Sequence, residues 1–410
     1  MEKKLVRTLC FKLIPDNPEL LDELMLEFRN VFNQYIEACK KLNTTNRNKL
    51  EKYPVKSRLI QNTRQLAREK AREAVKSYFE LRKKGKESSF PKSRKKPMPV
   101  KMNYKEGYIV KEDFTIRISV YPRIHVHGRL EGSDLDFAYL YNALKGKYDI
   151  GTAELLKKDG EFYLHITISR YFNRTYEPKT FVGVDVNENS VAITALDENG
   201  RVLKSAILEF NELKFLRHKF DMIRKRMQSK KPSMLRVLGR IEKNTVRDWC
   251  HKISRIVVEF AKQFPNPIVV LENLNGIRES INYGKRMNRR LHKIPYAMIQ
   301  NFIEYKALWD DILVEKVDPR NTSHTCPVCG GRGVRRKRLF KCSCGLQDHA
   351  DRIASVNIAV RGYAYLKENV PPVKRLPALR KVRWVASGLV NSPTPAVVAC
   401  LSGGSLLNGW

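Results

Sequence analysis

The spacing of hydrophobic positions changes several times along the chain, and each change predicts a different kind of element. The first thirteen residues alternate between apolar and polar side chains as a β-strand does, until Pro15 stops the run. From Glu19 to about Lys83 the apolar positions recur every three or four residues, which predicts helices, one of them from Leu59 to Leu81. In residues 98–172, runs of alternating apolar and polar side chains return, and glycine-containing turns separate these runs. This order predicts a small β-barrel that starts with the N-terminal strand and carries a helical insertion.

A basic segment, residues 82–96, links the predicted helices to the later strands. It is rich in Lys and Arg and is interrupted by Pro and Gly, so no regular element is expected there. Lys95 and Lys96 are candidates for contacts with a nucleic-acid backbone. An ordinary solvated linker is the alternative interpretation.

A second pattern begins at Phe181 and predicts an α/β fold. The run FVGVDVNENSVAITALDENGRVLKSAILE predicts three successive strands with a turn at Asn199-Gly200. After a long basic helical stretch, IVVLENLNG predicts a strand buried on both faces. Further on, HADRIASVNIAVRGYAYL predicts a helix with Asp351 in its first turn.

Three acidic residues fall at informative positions of this α/β segment. Asp185 lies on its first strand, Glu272 near the carboxyl end of the central strand, and Asp351 at the start of the late helix. Singly they have plain explanations, as a turn cap, an exposed strand end and a residue that favours a helix N-terminus. Together they suit a nuclease of the RNase H type, because Mg²⁺ or Mn²⁺ prefers carboxylate oxygens. Two such ions about 3.5–4 Å apart activate water and stabilise the leaving oxygen of a phosphodiester.

Four cysteines between Glu272 and Asp351 predict a zinc site. They are Cys326, Cys329, Cys342 and Cys344. The spacing Cys-x2-Cys-x12-Cys-x-Cys offers four thiolates to one tetrahedral zinc ion, and Gly330 and Gly345 allow the left-handed turns of metal knuckles. Two disulfides or four loose thiols are the alternative, and disulfides are disfavoured because cysteines so close in sequence form strained bridges. The sequence therefore predicts a structural zinc ribbon inserted in the nuclease segment.

The charge of the chain predicts a polyanionic partner. Its formal net charge is +35, from 78 basic and 43 acidic residues, and nucleic acid is the natural counterpart of such an excess. A membrane surface is the competing anion. However, no stretch approaches the roughly 18 apolar residues of a spanning helix, and the N-terminus lacks the apolar core of a signal peptide. We expect a protein of the prokaryotic cytosol or nucleoid, without a membrane partner and with the monomer as the favoured form.

One helical face is predicted to contact nucleic-acid backbone. Its residues, at steps of four, three and four, are Arg236, Arg240, Lys243 and Arg247. Such contacts position a nucleic acid without reading its sequence. A merely solvated basic face is the alternative.

Several blocks of the sequence resemble a known family. TSHTCPVCG, CSCG and HADRIASVNIA, with GVDVNENSVA and VLENLNGI upstream, are similar to the TnpB proteins of bacterial and archaeal insertion sequences. They are more distantly similar to the compact type V CRISPR effectors. The resemblance spans about residues 1–366 and is specific from 181 to 366. It departs at Ile353, where the family usually has Asn. We expect this change to adjust the rate, because the three candidate metal ligands remain.

The resemblance implies an RNA-guided DNA endonuclease. A guide RNA encoded by the transposon would pair with double-stranded target DNA beside a short adjacent motif, and a RuvC-like site would cut both strands. Asp185, Glu272 and Asp351 match the catalytic residues of the family, and the four cysteines match its zinc ligands. The implied cofactors are two Mg²⁺ or Mn²⁺ ions, one structural Zn²⁺ and the guide RNA.

The implied fold class is a multidomain α+β chain with an N-terminal β-barrel, or wedge, that carries a helical insertion. A RuvC/RNase H-like α/β nuclease domain containing the zinc ribbon follows. The predicted segments are a wedge barrel at 1–14 and 97–175, a helical recognition insertion with the basic loop at 15–96, a nuclease domain at 180–320 and 346–368, a zinc ribbon at 321–345 and a flexible tail at 369–410.

Other functions remain open. The first alternative is a RuvC-like DNA nuclease that works without RNA, or a transposition accessory protein. The second is a compact type V CRISPR effector, or a regulator that binds DNA without cutting it. The intact set of three acids argues against the regulator, and the large basic surface favours a protein that holds RNA.

Overall fold

The computed structural model describes residues 3–173, 176–274 and 295–367. The chain divides into two compact units, Met1–Tyr171 and Phe172–Trp410. The predicted tail at 369–410 lies outside the described residues, as does the stretch 275–294 of the predicted nuclease segment. Among the described helices, none has both the length and the apolar character needed to cross a bilayer.

The first unit is built around a seven-stranded, mostly antiparallel sheet with the strand order β2-β6-β7-β1-β5-β4-β3. The strands are β1 (Lys3–Pro15), β2 (Val100–Asn103), β3 (Tyr108–Val110), β4 (Thr115–Tyr121), β5 (Ile124–Glu131), β6 (Asp149–Lys158) and β7 (Glu161–Phe172). The two outermost strands in this order, β2 and β3, are consecutive in the chain and joined by only four residues. The sheet therefore curls until its two edges meet at that turn.

The helices of the first unit are α1 (Pro18–Lys41), α2 (Arg47–Glu51), α3 (Gln61–Lys83) and α4 (Asp134–Leu144). Asn17 caps α1, since its side chain accepts a hydrogen bond from the Leu20 amide at 3.1 Å. The helical period predicted from Glu19 onward is confirmed. The helix α4 was missed, because residues 98–172 were predicted as strands and turns. Its signal was Ser133, whose hydroxyl accepts from the Asp136 amide as an N-cap does.

The second unit contains a five-stranded mixed sheet with the order β10-β9-β8-β11-β12. Its strands are β8 (Thr180–Val186), β9 (Ser190–Asp197), β10 (Val202–Glu209), β11 (Pro267–Glu272) and β12 (Leu313–Val317). Strands β8 to β10 are antiparallel neighbours, whereas β11 runs parallel to both β8 and β12. The three strands predicted from Phe181 and the buried strand predicted from IVVLENLNG are confirmed.

The helices of the second unit are α5 (Asn211–Lys230), α6 (Leu235–Ala261), α7 (Tyr296–Trp309) and α8 (Ala350–Lys367), with a 3-10 turn at Pro232–Met234. Helices α6 and α7 cover one face of the sheet, where Val257 and Ile303 share a core with Val184. Helix α8 covers the other face. A Cβ atom added to Gly183 of β8 would overlap the carbonyl oxygen of Ser355, so α8 packs directly on the strand backbone.

Between β12 and α8 the chain forms a cysteine module, which we define as residues 321–349. Its three-stranded sheet consists of β13 (Val334–Arg336), β14 (Leu339–Lys341) and β15 (Gln347–His349). Strand β15 pairs with β14 through Leu339 and His349. The module therefore continues past residue 345, where the sequence had predicted its end.

Candidate metal centres

Asp185 and Glu272 lie on the same face of the five-stranded sheet. Side chains alternate between the faces of a strand, and Gly183 of β8 faces helix α8, so Asp185 does too. On β11, Val270 packs against Gly362 of α8, which places Glu272 on that face as well. The parallel register pairs Leu271 with Val184, and its next step sets Glu272 beside Asp185. Strand alternation and register thus bring the two acids together.

Asp351 reaches the same place from helix α8. It is buried in the first turn of the helix, as the sequence predicted. The close packing of Ser355 on Gly183 holds this turn over the end of β8. The Ser190 hydroxyl, at the start of β9, donates to Asp351 Oδ2 at 3.4 Å. We call Asp185, Glu272 and Asp351 the carboxylate cluster.

Each acid of the cluster has a polar partner from a neighbouring segment. Asn187 donates to Asp185 Oδ2 at 2.7 Å, and the Thr322 hydroxyl donates to Glu272 Oε1 at 2.7 Å. Arg335 donates through Nη2 to Asp351 Oδ1 at 3.0 Å. These contacts fix the orientations of the carboxylates before any ligand binds, which lowers the cost of assembling a site.

The electrostatics of the cluster favour a cation. Burial and the nearby Glu272 carboxylate raise the pKa of Asp185 to about 8, with a smaller contribution from Asp351. Burial also raises the pKa of Glu272, against the opposing effect of the hydrogen bond from Thr322. Negative charge is therefore unfavourable here unless a positive group compensates it. Divalent ions with a preference for oxygen would do so, and the donor set fits Mg²⁺ or Mn²⁺.

The four cysteines form a compact group. Their four sulfur atoms all lie within 4.8 Å of one another. Within the described residues, no other group of three or more potential metal ligands is this compact. The carboxylate cluster is more widely spaced. The sulfurs of Cys326 and Cys344 are 3.6 Å apart, and those of Cys329 and Cys342 are 3.4 Å apart.

These sulfur distances fit a shared metal ion and exclude disulfide bonds. A disulfide requires about 2.05 Å. A tetrahedral zinc ion with Zn–S bonds of about 2.3 Å places its sulfurs about 3.8 Å apart. Gly330 and Gly345 have φ angles of 72° and 93°, the left-handed turns that the knuckle pattern predicted. A hydrogen bond from the Cys344 backbone amide lowers the pKa of Cys342 to about 6, so this sulfur readily becomes a thiolate. The cysteine module can therefore hold a zinc ion.

The unusual Ile353 has a structural role in this module. Its side chain is fully buried, in a core with Cys326, Phe340 and Ala350. It therefore supports the cysteine module from beneath and does not face the carboxylate cluster. One turn further along α8, Asn357 donates to the carbonyl oxygens of Thr322 and Thr325 at 2.6 and 2.8 Å. Helix α8 thus anchors both centres.

Two arginines of the cysteine module that were not predicted from the sequence form ion pairs with acids outside the module. Arg335 of β13 forms the ion pair with Asp351 already described. Arg338, in the turn between β13 and β14, donates to Glu209 Oε1 at the end of β10 at 2.5 Å. The only sequence signal was their place in a run of basic residues between two cysteine pairs. Such a run does not distinguish an arginine that meets a carboxylate from one that meets solvent.

The predicted nucleic-acid contacts lie in both units. Lys95 and Lys96 are exposed, in a loop whose backbone is bound to α1: Arg29 donates to the Lys95 carbonyl at 2.6 Å, and Asn33 donates to the Arg94 carbonyl at 2.9 Å. The other four candidates are exposed on one face of α6, and we call them the basic stripe: Arg236, Arg240, Lys243 and Arg247. The predicted common helical face is confirmed.

Comparison with known proteins relates this architecture to a family. Residues 296–358, which span α7, β12, the cysteine module and the start of α8, match the family model of the Cas12f1-like TNB domain. The fold resembles that of Cas12f1 in a solved Cas12f1–sgRNA–target DNA complex. The TM-score is 0.55 at 18% identity, over 83% of this chain and 82% of that one.

Relatives in sequence lead to the same group of proteins. A CRISPR-associated endodeoxyribonuclease Cas12f1 of Sulfoacidibacillus thermotolerans is 27% identical over 246 residues, or 53% of this chain and 54% of that protein. A TnpB-like protein of Aquifex aeolicus is 28% identical over 244 residues, or 53% of this chain and 80% of the relative. One from Methanocaldococcus jannaschii is 34% identical over 257 residues, which cover 59% of this chain and 89% of the relative. Because this chain covers most of the length of a TnpB-like relative at 34% identity, it belongs to the TnpB-like family, which is related to the compact type V effectors.

Proposed function

We propose that this protein is an RNA-guided DNA endonuclease that hydrolyses phosphodiester bonds at the carboxylate cluster. The observation that carries the proposal is the convergence of Asp185, Glu272 and Asp351 from β8, β11 and α8. Three buried or half-buried acids at one sheet end are costly for a fold unless they bind a cation. The relatives whose names state an activity are endodeoxyribonucleases, which supports DNA as the substrate.

Two Mg²⁺ or Mn²⁺ ions, when bound, supply an activated water molecule and stabilise the leaving oxygen of the cut strand. The residues of the chain hold and orient this centre. Asn187 and Thr322 fix the carboxylates of Asp185 and Glu272. Arg335 orients Asp351 and brings a positive charge to the edge of the cluster, where a phosphate would enter. The proposed Zn²⁺ in the cysteine module is structural.

The proposed partners are a transposon-encoded guide RNA and double-stranded target DNA that carries a short adjacent motif. The net charge of +35 and the exposed basic stripe support binding of a long polyanion. In the proposed assignment, the curled sheet of the first unit is the wedge, and helices α1 to α3 form the recognition insertion. The sheet of the second unit is the RuvC-like nuclease domain. In such an enzyme base pairing reads the sequence, whereas the protein holds backbones.

We expect a discrete RNA to co-purify with the protein. The full chain would be purified from cells that carry its native locus, and the bound RNA would be sequenced. A preparation from cells that express the chain without the locus is the control. The predicted result is one RNA species that maps to the end of the element and is lost in the control. A preparation without a discrete RNA would contradict RNA guidance and favour a nuclease that works without RNA.

Replacing Arg335 by Ala should slow DNA cleavage by about tenfold to a hundredfold, because Asp351 loses its orienting partner and the cluster loses a positive charge. Arg336→Ala is the matched control, since Arg336 is the next residue on β13 and its side chain is exposed. Single-turnover cleavage rates would be measured at equal occupancy with RNA, together with zinc content. Equal rates for the two variants would show that Arg335 has no part in cutting.

A further inference from the structure

A groove of about 500 Å³ lies between α6 and α7 in the second unit. Val246 of α6 and Met298 and Phe302 of α7 supply its apolar surface, and Gly239 and Lys243 of α6 line another part. The groove lies on the side of the sheet covered by α6 and α7, whereas the carboxylate cluster faces α8. A molecule bound in the groove would therefore lie on the opposite side of the sheet from the proposed cutting site.

Gly239 has no evident role within the folded chain. It lies in the second turn of α6, and a Cβ atom added there would have no atom within 4 Å apart from its chain neighbours and the nearby backbone of its own helix. The helix therefore has room for a side chain at this position. Glycine is nonetheless among the least favourable residues for a helix, second only to proline. A glycine that weakens its helix and relieves no crowding is explained if another molecule approaches the backbone there.

The charges around the groove favour a nucleic-acid backbone as that molecule. Lys243 belongs both to the groove and to the basic stripe, whose side chains are exposed along the adjoining face of α6. Phosphates along the stripe would bring the neighbouring sugars over Gly239. The apolar surface of Met298 and Phe302 suits the carbon face of a sugar or a base.

The hydrogen-bonding groups of the groove favour RNA over DNA. Besides its basic residues, the groove is lined by Glu242 and Asn301, which present side-chain oxygens that accept hydrogen bonds. Arg224 pairs with Oε2 of Glu242, and Asn301 is exposed. A DNA backbone has no donor for these oxygens, whereas every ribose carries a 2′-hydroxyl that can donate.

We propose that this groove binds the ribose–phosphate backbone of the guide RNA, with Gly239 at the point of closest approach. This inference rests on the proposed function and adds to it a specific RNA contact remote from the cutting site. It also assigns Gly239 to ligand binding and not to folding. A role in binding predicts that substitution stabilises the fold and that a large side chain weakens RNA binding. A role in folding predicts that substitution destabilises the fold.

The test compares Gly239→Ala and Gly239→Gln with Asn244→Ala and Asn244→Gln. Asn244 is an exposed residue of the same helix that does not line the groove. The probe is an in vitro transcript of the RNA that co-purifies with the wild type. Both Gly239 variants should raise the melting temperature, by about 1–3 °C, because Ala and Gln favour helices. Gly239→Gln should nevertheless weaken RNA binding about tenfold, since its side chain occupies the groove. The Asn244 variants should bind RNA like the wild type.

A second arm tests whether the ligand is recognised as RNA. Affinities for a 20-nucleotide RNA and for DNA of the same sequence would be compared in wild type and Asn301→Ala. Loss of a hydrogen bond to the 2′-hydroxyl should reduce the preference for RNA about threefold to tenfold, with DNA affinity unchanged. Equal losses for both probes would contradict the assignment to ribose.

The outcomes separate this inference from the proposed function. If the wild type binds the transcript and Gly239→Gln binds it equally well, the groove assignment is wrong and RNA guidance stands. A fall in melting temperature for both Gly239 variants would assign the glycine to folding and also overturn the inference. A wild type that binds no discrete RNA would overturn the proposed function itself.

Discussion

Asp185→Ala is expected to abolish DNA cleavage and to leave RNA binding intact. The carboxylates of Glu272 and Asp351 both raise the pKa of Asp185, which shows that its charge is coupled to theirs. Its removal takes away a carboxylate that would hold the metal ions, and we expect at least about a thousandfold loss of cleavage rate. The basic stripe lies on α6, away from this sheet face, so affinity for RNA should be unchanged. Plasmid cleavage and filter binding of the co-purified RNA measure the two effects.

The control for this substitution is another acid of the same sheet. Asp197 is the last residue of β9, at the opposite end of the strands from Asp185, where it pairs with Thr180 and accepts hydrogen bonds from the amides of a turn. Asp197→Asn should cut DNA at close to the wild-type rate. Glu272→Ala should behave like Asp185→Ala. Cleavage that persists in Asp185→Ala would contradict the assignment of the carboxylate cluster as the cutting site.

Joint replacement of Cys326 and Cys329 by Ser should have the second largest effect. It removes one of the two cysteine pairs, and a small metal module generally does not fold without its ion. Without a folded cysteine module, Arg335 and Thr322 lose their positions beside Asp351 and Glu272. We expect cleavage to fall by at least about a hundredfold. Mass spectrometry should find one zinc ion per wild-type chain and none in the variant.

Cys10→Ser is the matched control, because Cys10 is an exposed cysteine of the first unit. It should retain both zinc and activity. Removing zinc from the wild type with a chelator, followed by excess Mg²⁺, should reproduce the loss seen in the double variant. Full cleavage by a protein that contains no zinc would contradict a structural role for the module.

Much of the fold could be predicted from the sequence because its signals are local. The alternation along β1, the helical period of α1 and α3 and the apolar runs of β8 and β11 each depend on neighbouring residues. The sequence placed Asp185 and Glu272 on their strands, whereas the parallel register that sets them side by side is seen only in the structure. Short elements with weaker signals were harder, and α4 was missed although Ser133 marks its start.

Contacts between distant segments could not be predicted in the same way. The ion pair of Arg335 with Asp351 depends on how the β13–β14 hairpin folds back over α8. The basic run between the two cysteine pairs does not indicate where that hairpin will lie. The packing of Ile353 beneath Cys326 and Phe340 could not be predicted either, and its expected effect on the rate stays a prediction. Its side chain points away from the cluster because α8 carries Asp351 and Ile353 on different faces. Likewise, the groove beside Gly239 exists only where α6 and α7 meet.

In the proposed function, bound RNA directs this protein to the DNA that it cuts. The most direct test changes the target-pairing end of the co-purified RNA, reassembles it with the purified chain and supplies two plasmids in Mg²⁺. One plasmid matches the original RNA and the other matches the altered RNA, and both carry the same flanking sequence. RNA guidance predicts that cleavage moves to the plasmid that matches the altered RNA and is absent from Asp185→Ala. Cleavage of both plasmids at the same sites, whichever RNA is bound, would contradict it.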